Sequence, residues 1–113
     1  MHADARKLLW DAMRAADRVA RFTHGKTFAD YQADELLRSG VERQLAIVGE
    51  ALSRLRRIDP GIAGSIAELA RVVGFRNVLV HASASVDSRN VRGIIEADLD
   101  PLRASLSALL VQP

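Results

Sequence analysis

The sequence predicts an all-α protein folded as an antiparallel bundle of four or five helices. Apolar residues recur at steps of three and four along most of the chain, which is the period of an amphipathic helix. No pair of alternating segments indicates a hairpin, and the one apolar run with strand propensity, NVLVH at 77–81, stands alone. The length of 113 residues and the 49% hydrophobic content suit a single helical domain, residues 1–113.

The pattern before Pro60 indicates three helices. The first is expected over residues 3–23, with Gly25 as its stop signal. A short helix capped by Asp30 is expected to reach Arg38, and Ser39-Gly40 then separates it from the next element. The apolar face of the first helix is formed by Leu8, Leu9, Ala12, Ala16, Val19 and Ala20.

The third helix carries a narrow apolar seam in 4-3-4-3 spacing, which is typical of helix-on-helix packing. Its end is expected at Asp59, because a residue that precedes proline avoids the helical region of the backbone. The seam consists of Val41, Leu45, Val48, Leu52 and Leu55.

Two further helices are predicted after this point. One begins near Ser65 and is interrupted or bent at Gly74. The last is capped by Ser88 and kinked or broken at Pro101. The seam of the third helix and the long stripe of the last one exceed what a small monomer hides easily, which predicts a homodimer. The stripe comprises Val91, Ile94, Ile95, Leu99, Leu102, Leu106, Leu109 and Leu110.

Composition excludes several classes of protein. Without cysteine the chain forms no disulfide, no thiolate metal site and no cysteine nucleophile. No run approaches the ~18 apolar residues of a membrane helix. The charged start over residues 1–7 argues against a secretory signal, so a cytoplasmic location is expected.

The charge balance permits an anionic partner without requiring one. Sixteen cationic residues against fourteen acidic ones leave a net charge of only +2. All but Lys7 and Lys26 are arginines, whose guanidinium binds phosphate in a fork. A compositional bias toward Arg and Ala is an alternative explanation of the arginine excess. In that case the arginines form solvated helix faces, as charged residues usually do.

Among the three histidines, His81 is the candidate for chemistry, because His2 lies near the terminus and His24 in a predicted loop. Asn77 is four residues earlier on the same helix face, and Arg76 is five earlier, roughly 140° around the helix. A structural histidine is the more frequent role at the end of an apolar segment. Three scattered histidines without cysteine make a metal site improbable, and no Gly-rich phosphate loop is present.

The chain resembles the HepT-like toxin family, the prokaryotic branch of the HEPN (higher eukaryote and prokaryote nucleotide-binding) superfamily. The resemblance runs from about Leu8 to Leu109, and four groups of segments carry it together. These are FT at 22–23 with KTF at 26–28 and Asp30, VERQL at 41–45 with IVGEA at 47–51, GFRNVLVH at 74–81, and VD at 86–87 with DLDPL at 98–102.

This resemblance implies a homodimeric helical toxin that cleaves RNA without a metal ion or other cofactor. Arg76 and His81 match the catalytic Arg and His of the family, with Asn77 as the polar neighbour. It also implies a partner, a minimal nucleotidyltransferase antitoxin that transfers AMP to a tyrosine two residues after the histidine. Ser83 stands at that position here, and the lone tyrosine, Tyr31, lies in another predicted element. Ser83 is therefore a possible modification position that we expect to be a poor AMP acceptor.

The chemistry favours a site shared by two subunits. Cleavage through the 2′-hydroxyl of RNA needs a base, an acid and cations on the phosphate, and imidazole and guanidinium supply these roles. One histidine cannot comfortably perform both proton transfers, whereas a two-fold dimer presents two copies of His81. Glu50 is expected to orient Arg76 or His81, although a solvated carboxylate is an equal alternative.

Two other interpretations remain open at this point. Asp98 and Asp100 resemble a carboxylate pair, but Asp98 can equally cap a helix or pair with Arg103. The chain can also be a catalytically silent helical dimer that binds the nucleotidyltransferase or a nucleotide. Ser83 in place of tyrosine favours that alternative, whereas the retained Arg76, Asn77 and His81 favour the ribonuclease.

Overall fold

The computed structural model describes residues 1–81 and 86–112, and this part of the chain is a bundle of α-helices without strands. The all-α prediction is confirmed. None of the described helices is both long and apolar enough to cross a membrane. The helices are α1 (Ala3–Thr23), α2 (Phe28–Ala33), α3 (Glu35–Ile58), α4 (Pro60–Gly64), α5 (Leu69–His81), α6 (Ser88–Ile94) and α7 (Asp100–Leu110), with a π-helical turn at Ile95–Leu99 between the last two.

The centre of the bundle is the packing of α1 on α3, with α5 on another side of α3 and α7 against α1. Every residue of the predicted seam on α3 is at most 3% exposed, so its helix-on-helix packing is confirmed. The seam is thus buried within one chain, and it is not the apolar surface that the sequence assigns to a second copy. The buried face of α1 is rich in alanine, and such small side chains let the axes of two helices approach closely. Its buried residues are Ala5, Leu9, Ala12, Ala15, Ala16 and Val19.

The predicted boundary between α2 and α3 is wrong. Thr27 rather than Asp30 caps α2, and Asp30 is the third residue of a reciprocal capping box in which its carboxylate accepts the Thr27 N–H. Asp34 caps α3, which then continues through Gly40 to Ile58. The cap and the buried seam outweigh the roughly 1 kcal/mol that an interior glycine costs a helix. Gly25, the predicted stop of α1, has a φ of 73°, which only glycine adopts without strain.

The predicted start of α5 is also wrong. The helix begins at Leu69 rather than near Ser65, and Ile66 is buried in the turn that precedes it. It continues through Gly74, where an added Cβ would meet nothing within 4 Å. The segment with strand propensity, 77–81, is helical to its end, because it continues a helix that is already packed on α3.

Pro101 does not break the helix, because the backbone runs from α6 through the π-helical turn into α7 without leaving a helical conformation. Its ring lacks an N–H and would clash with the preceding turn of a regular α-helix, and the π-helical turn Ile95–Leu99 lies just before it. The N-cap of α6 is Asp87 rather than the predicted Ser88, and its side chain accepts the Arg89 N–H.

Asp98 lies inside this π-helical turn and is almost fully buried. It forms an ion pair with Arg71 of α5, so the alternative in which it pairs with Arg103 is wrong. The Arg103 side chain instead lies 2.9 Å from Asp17 of α1 and 3.4 Å from the exposed Asp100. Asp98 thus joins the π-helical turn to α5, whereas Asp100 contacts Arg103 within α7, so the two carboxylates have separate partners.

Candidate functional site

A groove of about 540 Å³ runs between α1, α3 and α5. Five guanidinium groups and two carboxylates line it, which leaves three net positive charges on its walls. The floor between them is apolar, formed by residues such as Leu8, Ile47 and Val80. The arginines are Arg14, Arg18, Arg43, Arg54 and Arg76, and the carboxylates are Asp11 and Glu50.

Arg76 reaches this groove through a close contact between α5 and α3. At Gly49 of α3 an added Cβ would lie 2.2 Å from the Arg76 Cβ and 2.7 Å from its Cγ. Such distances are far shorter than any van der Waals contact, so only glycine permits this approach. Gly49 therefore determines where the Cβ and Cγ of Arg76 lie.

Two polar contacts then hold the guanidinium of Arg76. Its Nη2 donates to Oε2 of Glu50 at 2.6 Å, and its Nη1 donates to Oδ1 of Asn77 at 3.1 Å. The other carboxylate oxygen of Glu50 accepts from Nε of Arg54 at 3.1 Å. One carboxylate thus joins two of the arginines of the groove, and the predicted neighbours Arg76, Asn77 and Glu50 come together in the structure.

His81 is the last residue of α5, directly after Val80, which lines the groove. Its side chain is exposed, and Asn77 precedes it by one helical turn on the same face. Its exposure rules out a role in the hydrophobic core. His81 is not among the residues that line the groove, so the structure brings Arg76, Asn77 and Glu50 together and places His81 just beyond them at the end of α5. Ser83 lies outside the described residues.

Four arginines of the groove were not predicted as site residues. Arg14 and Arg18 lie one turn apart on α1, and Arg43 and Arg54 belong to a second row of α3. That row comprises Arg43, Ile47, Glu50 and Arg54 and has the 4-3-4 spacing of the buried seam, displaced by two residues. This repeated spacing was the signal in the sequence that could have identified it. Arg14, Arg18 and Arg43 form no salt bridge with described residues, so their charges are available to an anion.

Within the described ranges, no group of three or more histidine, aspartate or glutamate side chains is arranged to hold a metal ion. The described site offers an anchored guanidinium and a cationic groove, with the exposed imidazole of His81 one residue beyond the lining residue Val80. A phosphodiester suits this combination, because guanidinium groups bind its oxygens and imidazole transfers protons near neutral pH.

Comparison with known proteins gives two matches. The family model described as "Ribonuclease HepT-like" matches residues 12–109. The protein named "Putative RNase MJ1380" from Methanocaldococcus jannaschii is 27% identical over 100 residues, which cover 88% of this chain and 91% of that protein. No solved structure matches the chain.

Proposed function

The chain belongs to the HepT-like ribonuclease family, and on that basis we propose that it is a metal-independent endoribonuclease with His81 and Arg76 as its catalytic residues. The observation that carries this proposal is the placement of Arg76, anchored by Glu50 and Asn77 in a groove with three net positive charges. Polyanionic RNA is the substrate class that such a groove favours.

In the proposed reaction, the 2′-hydroxyl of RNA attacks the adjacent phosphorus while an imidazole removes its proton. The bond from phosphorus to the 5′-oxygen breaks, and a second, protonated imidazole gives that oxygen its proton. The products are a 2′,3′-cyclic phosphate and a 5′-hydroxyl. Arg76 stabilises the charge that develops on the non-bridging oxygens, and Glu50 is a positioning residue that acts through Arg76.

Cleavage is expected to continue in the presence of EDTA, because the proposed proton transfers and charge stabilisation come from side chains. The measurement is the rate of cleavage of an RNA with and without EDTA, together with the chemistry of the new ends. Ends that carry 2′,3′-cyclic phosphate or 3′-phosphate are expected. Activity that EDTA abolishes and magnesium restores would show that the mechanism based on His81 is wrong.

Because each chain contributes one such histidine, we propose that the active site is shared by two subunits. The exposed Val78 and Val80 of α5 lie beside His81 and provide apolar surface that a second copy would bury. Light scattering at micromolar concentration is expected to give twice the mass of one chain. A monomer that still cleaves RNA would contradict the shared site.

The family resemblance further implies a toxin of a two-gene module whose cytoplasmic partner is a minimal nucleotidyltransferase antitoxin. We expect this partner to inhibit mainly by binding over the groove, because a serine hydroxyl at position 83 is shorter and far less acidic than a tyrosine phenol. Incubation of the chain with the transferase and ATP is expected to leave its intact mass unchanged. A stoichiometric gain of AMP that disappears in Ser83→Ala would contradict this expectation.

Ser83 in place of tyrosine also supports a second candidate function, a catalytically silent dimer that acts by binding the transferase or a nucleotide. Growth arrest on expression separates the two candidates, because only the ribonuclease requires the imidazole. Arrest that persists in His81→Ala would favour the silent dimer.

A further inference from the structure

The charges along the groove that contains Arg76 are paired at one end only. Near Arg76 the carboxylate of Glu50 accepts from both Arg76 and Arg54, and the Asp11 carboxylate lies 3.0 Å from the ammonium of Lys7. Three other arginines of the lining form no ion pair within the described part of the chain, and the proposed reaction assigns them no role. They are Arg14 and Arg18 of α1 and Arg43 of α3.

Two contacts give the order of these arginines along the groove. Arg18 donates to Oε1 of Gln44 at 3.4 Å, and a Cβ added at Gly40 would lie 3.5 Å from the ring of Phe22. The two helices therefore run antiparallel, because the later residue of α1 meets the earlier residue of α3. Arg18 thus lies at the level of Arg43, which directly precedes Gln44.

The three arginines extend along the groove away from Arg76. Arg43 precedes Glu50, the partner of Arg76, by seven residues, which is a rise of about 10 Å along α3. Arg14 lies one turn, about 6 Å, from Arg18 and is nearer to the level of Glu50. Neighbouring phosphates of an RNA strand are separated by a similar distance. A strand with one phosphate at Arg76 would therefore bring the next ones to Arg14 and then to Arg18 and Arg43.

The lining favours contact with the backbone of the strand rather than with its bases. None of the described residues that line the groove is aromatic, whereas proteins that hold single strands by their bases stack them on aromatic rings. Guanidinium groups, in contrast, bind phosphate oxygens in a fork. Arg14 and Arg43 are exposed and Arg18 is partly exposed, so a strand in the groove can reach all three.

We propose that Arg14, Arg18 and Arg43 bind the phosphates that flank the scissile phosphate, and that these contacts set the affinity for RNA with little regard to base sequence. This assignment rests on the proposed ribonuclease function of the same groove. The groove then has a catalytic end, where Arg76 acts on the reacting phosphate, and a binding end that holds the strand. Loss of the binding end is expected to raise KM, whereas loss of the Arg76 guanidinium is expected to lower kcat.

Binding of an RNA that cannot be cleaved tests this assignment without depending on catalysis. The probe is a short fluorescent 2′-O-methyl oligouridine, followed by anisotropy with the wild type and with Arg14→Gln, Arg18→Gln and Arg43→Gln, singly and combined. Each single change is expected to weaken binding by roughly two- to fivefold, the range for exposed charge pairs. The triple variant is expected to lose roughly tenfold or more. The corresponding oligoadenosine and oligocytidine should bind with similar affinity.

Salt dependence distinguishes phosphate contacts from an indirect structural effect. The logarithm of the binding constant falls with the logarithm of the salt concentration, with a slope of about 0.7 for each phosphate neutralised on a single strand. The slope for the triple variant is therefore expected to be smaller than that for the wild type by about 2. Loss of folded protein alone would leave the slope unchanged, and a melt followed by circular dichroism measures the folded fraction.

Cleavage kinetics place the contacts relative to the reacting phosphate. A 2′-O-methyl strand with a single ribonucleotide has one scissile phosphate, and methylphosphonate linkages remove the charge of chosen neighbours. Neutral flanking linkages are expected to raise KM for the wild type and to have little further effect on the triple variant. In both proteins kcat is expected to stay close to its original value, because contacts with flanking phosphates are equally strong before and in the transition state.

The matched control combines Arg21→Gln, Arg56→Gln and Arg57→Gln. These arginines are also exposed and form no ion pair among the described residues, and they lie outside the groove. The control lowers the net charge equally and should keep the wild-type affinity and salt slope.

Equal binding by the wild type and the triple groove variant, or an equal loss in the control, would overturn the proposal. Neither result bears on whether Arg76 and His81 cleave RNA. A protein that binds the uncleavable strand as expected but cleaves no RNA would instead contradict the proposed ribonuclease function, so the two failures are distinguishable.

Discussion

His81→Ala is expected to lower the rate of RNA cleavage by on the order of 10²-fold or more, the usual contribution of a general acid or base. The protein should remain folded, because His81 is exposed at the end of α5 and its removal leaves no cavity in the core. Surface changes of this kind alter the free energy of unfolding by no more than about 0.5 kcal/mol. Initial rates on a defined RNA and a thermal melt followed by circular dichroism measure the two effects.

The matched control is His24→Ala, because His24 is likewise an exposed histidine, just beyond the end of α1, and has no part in the proposed reaction. It should leave both the rate and the melting temperature unchanged. If His81→Ala instead unfolds the protein while the folded fraction keeps its activity, the histidine is structural and the proposed mechanism is wrong. An unchanged rate with intact folding would show that cleavage does not use His81, and the proposed mechanism would be wrong.

Arg76→Lys complements this variant at the other proposed catalytic position. A lysine keeps the charge but cannot donate to Glu50, Asn77 and a phosphate at once in the planar geometry of a guanidinium. Poor activity of a folded Arg76→Lys protein would therefore support a forked contact between the guanidinium and the phosphate. Full activity would show that a positive charge alone suffices at this position.

The sequence predicted the architecture correctly for those helices in which one long apolar stripe determines which face is buried. The seam on α3 is buried as its spacing predicts, because a helix with such a stripe has one favourable way to pack. Short-range signals were less reliable at the ends of helices. Asp30 and Asp34 are equally good caps by residue type, and only the packed structure selects Asp34 for α3 and assigns Asp30 to the capping box of Thr27.

The candidate site was predictable only in part, for a related reason. Arg76, Asn77 and His81 are neighbours along one helix, so their spacing already indicates a common region. The cationic groove requires arginines from α1 and α3 as well, which are far apart in sequence. Their approach depends on tertiary packing: α1 packs on α3, and Gly49 of α3 lets Arg76 of α5 come close to the same groove.

That contact leads to a second large expected effect, for Gly49→Ala. The added Cβ would lie 2.2 Å from the Arg76 Cβ and 3.3 Å from the Val72 carbonyl oxygen, so α5 must move away from α3. A change of rotamer cannot relieve the clash, because the Cβ of Arg76 is fixed to its backbone. Overpacking of this kind costs about 1–3 kcal/mol, against a gain of roughly 1 kcal/mol in helix propensity.

The larger consequence of Gly49→Ala is expected in catalysis, since a displacement of about 1 Å at a catalytic group can lower a rate by 10²-fold. Gly93→Ala is the matched control, because Gly93 is an exposed residue of α6, outside the groove and the α5 surface, and an added Cβ there meets nothing within 4 Å. It should keep the wild-type rate and gain up to about 1 kcal/mol in stability. Rates and denaturant melts of both variants, compared with Arg76→Lys, measure the effect. A Gly49→Ala protein as active as the wild type would mean that cleavage does not depend on where α3 holds Arg76.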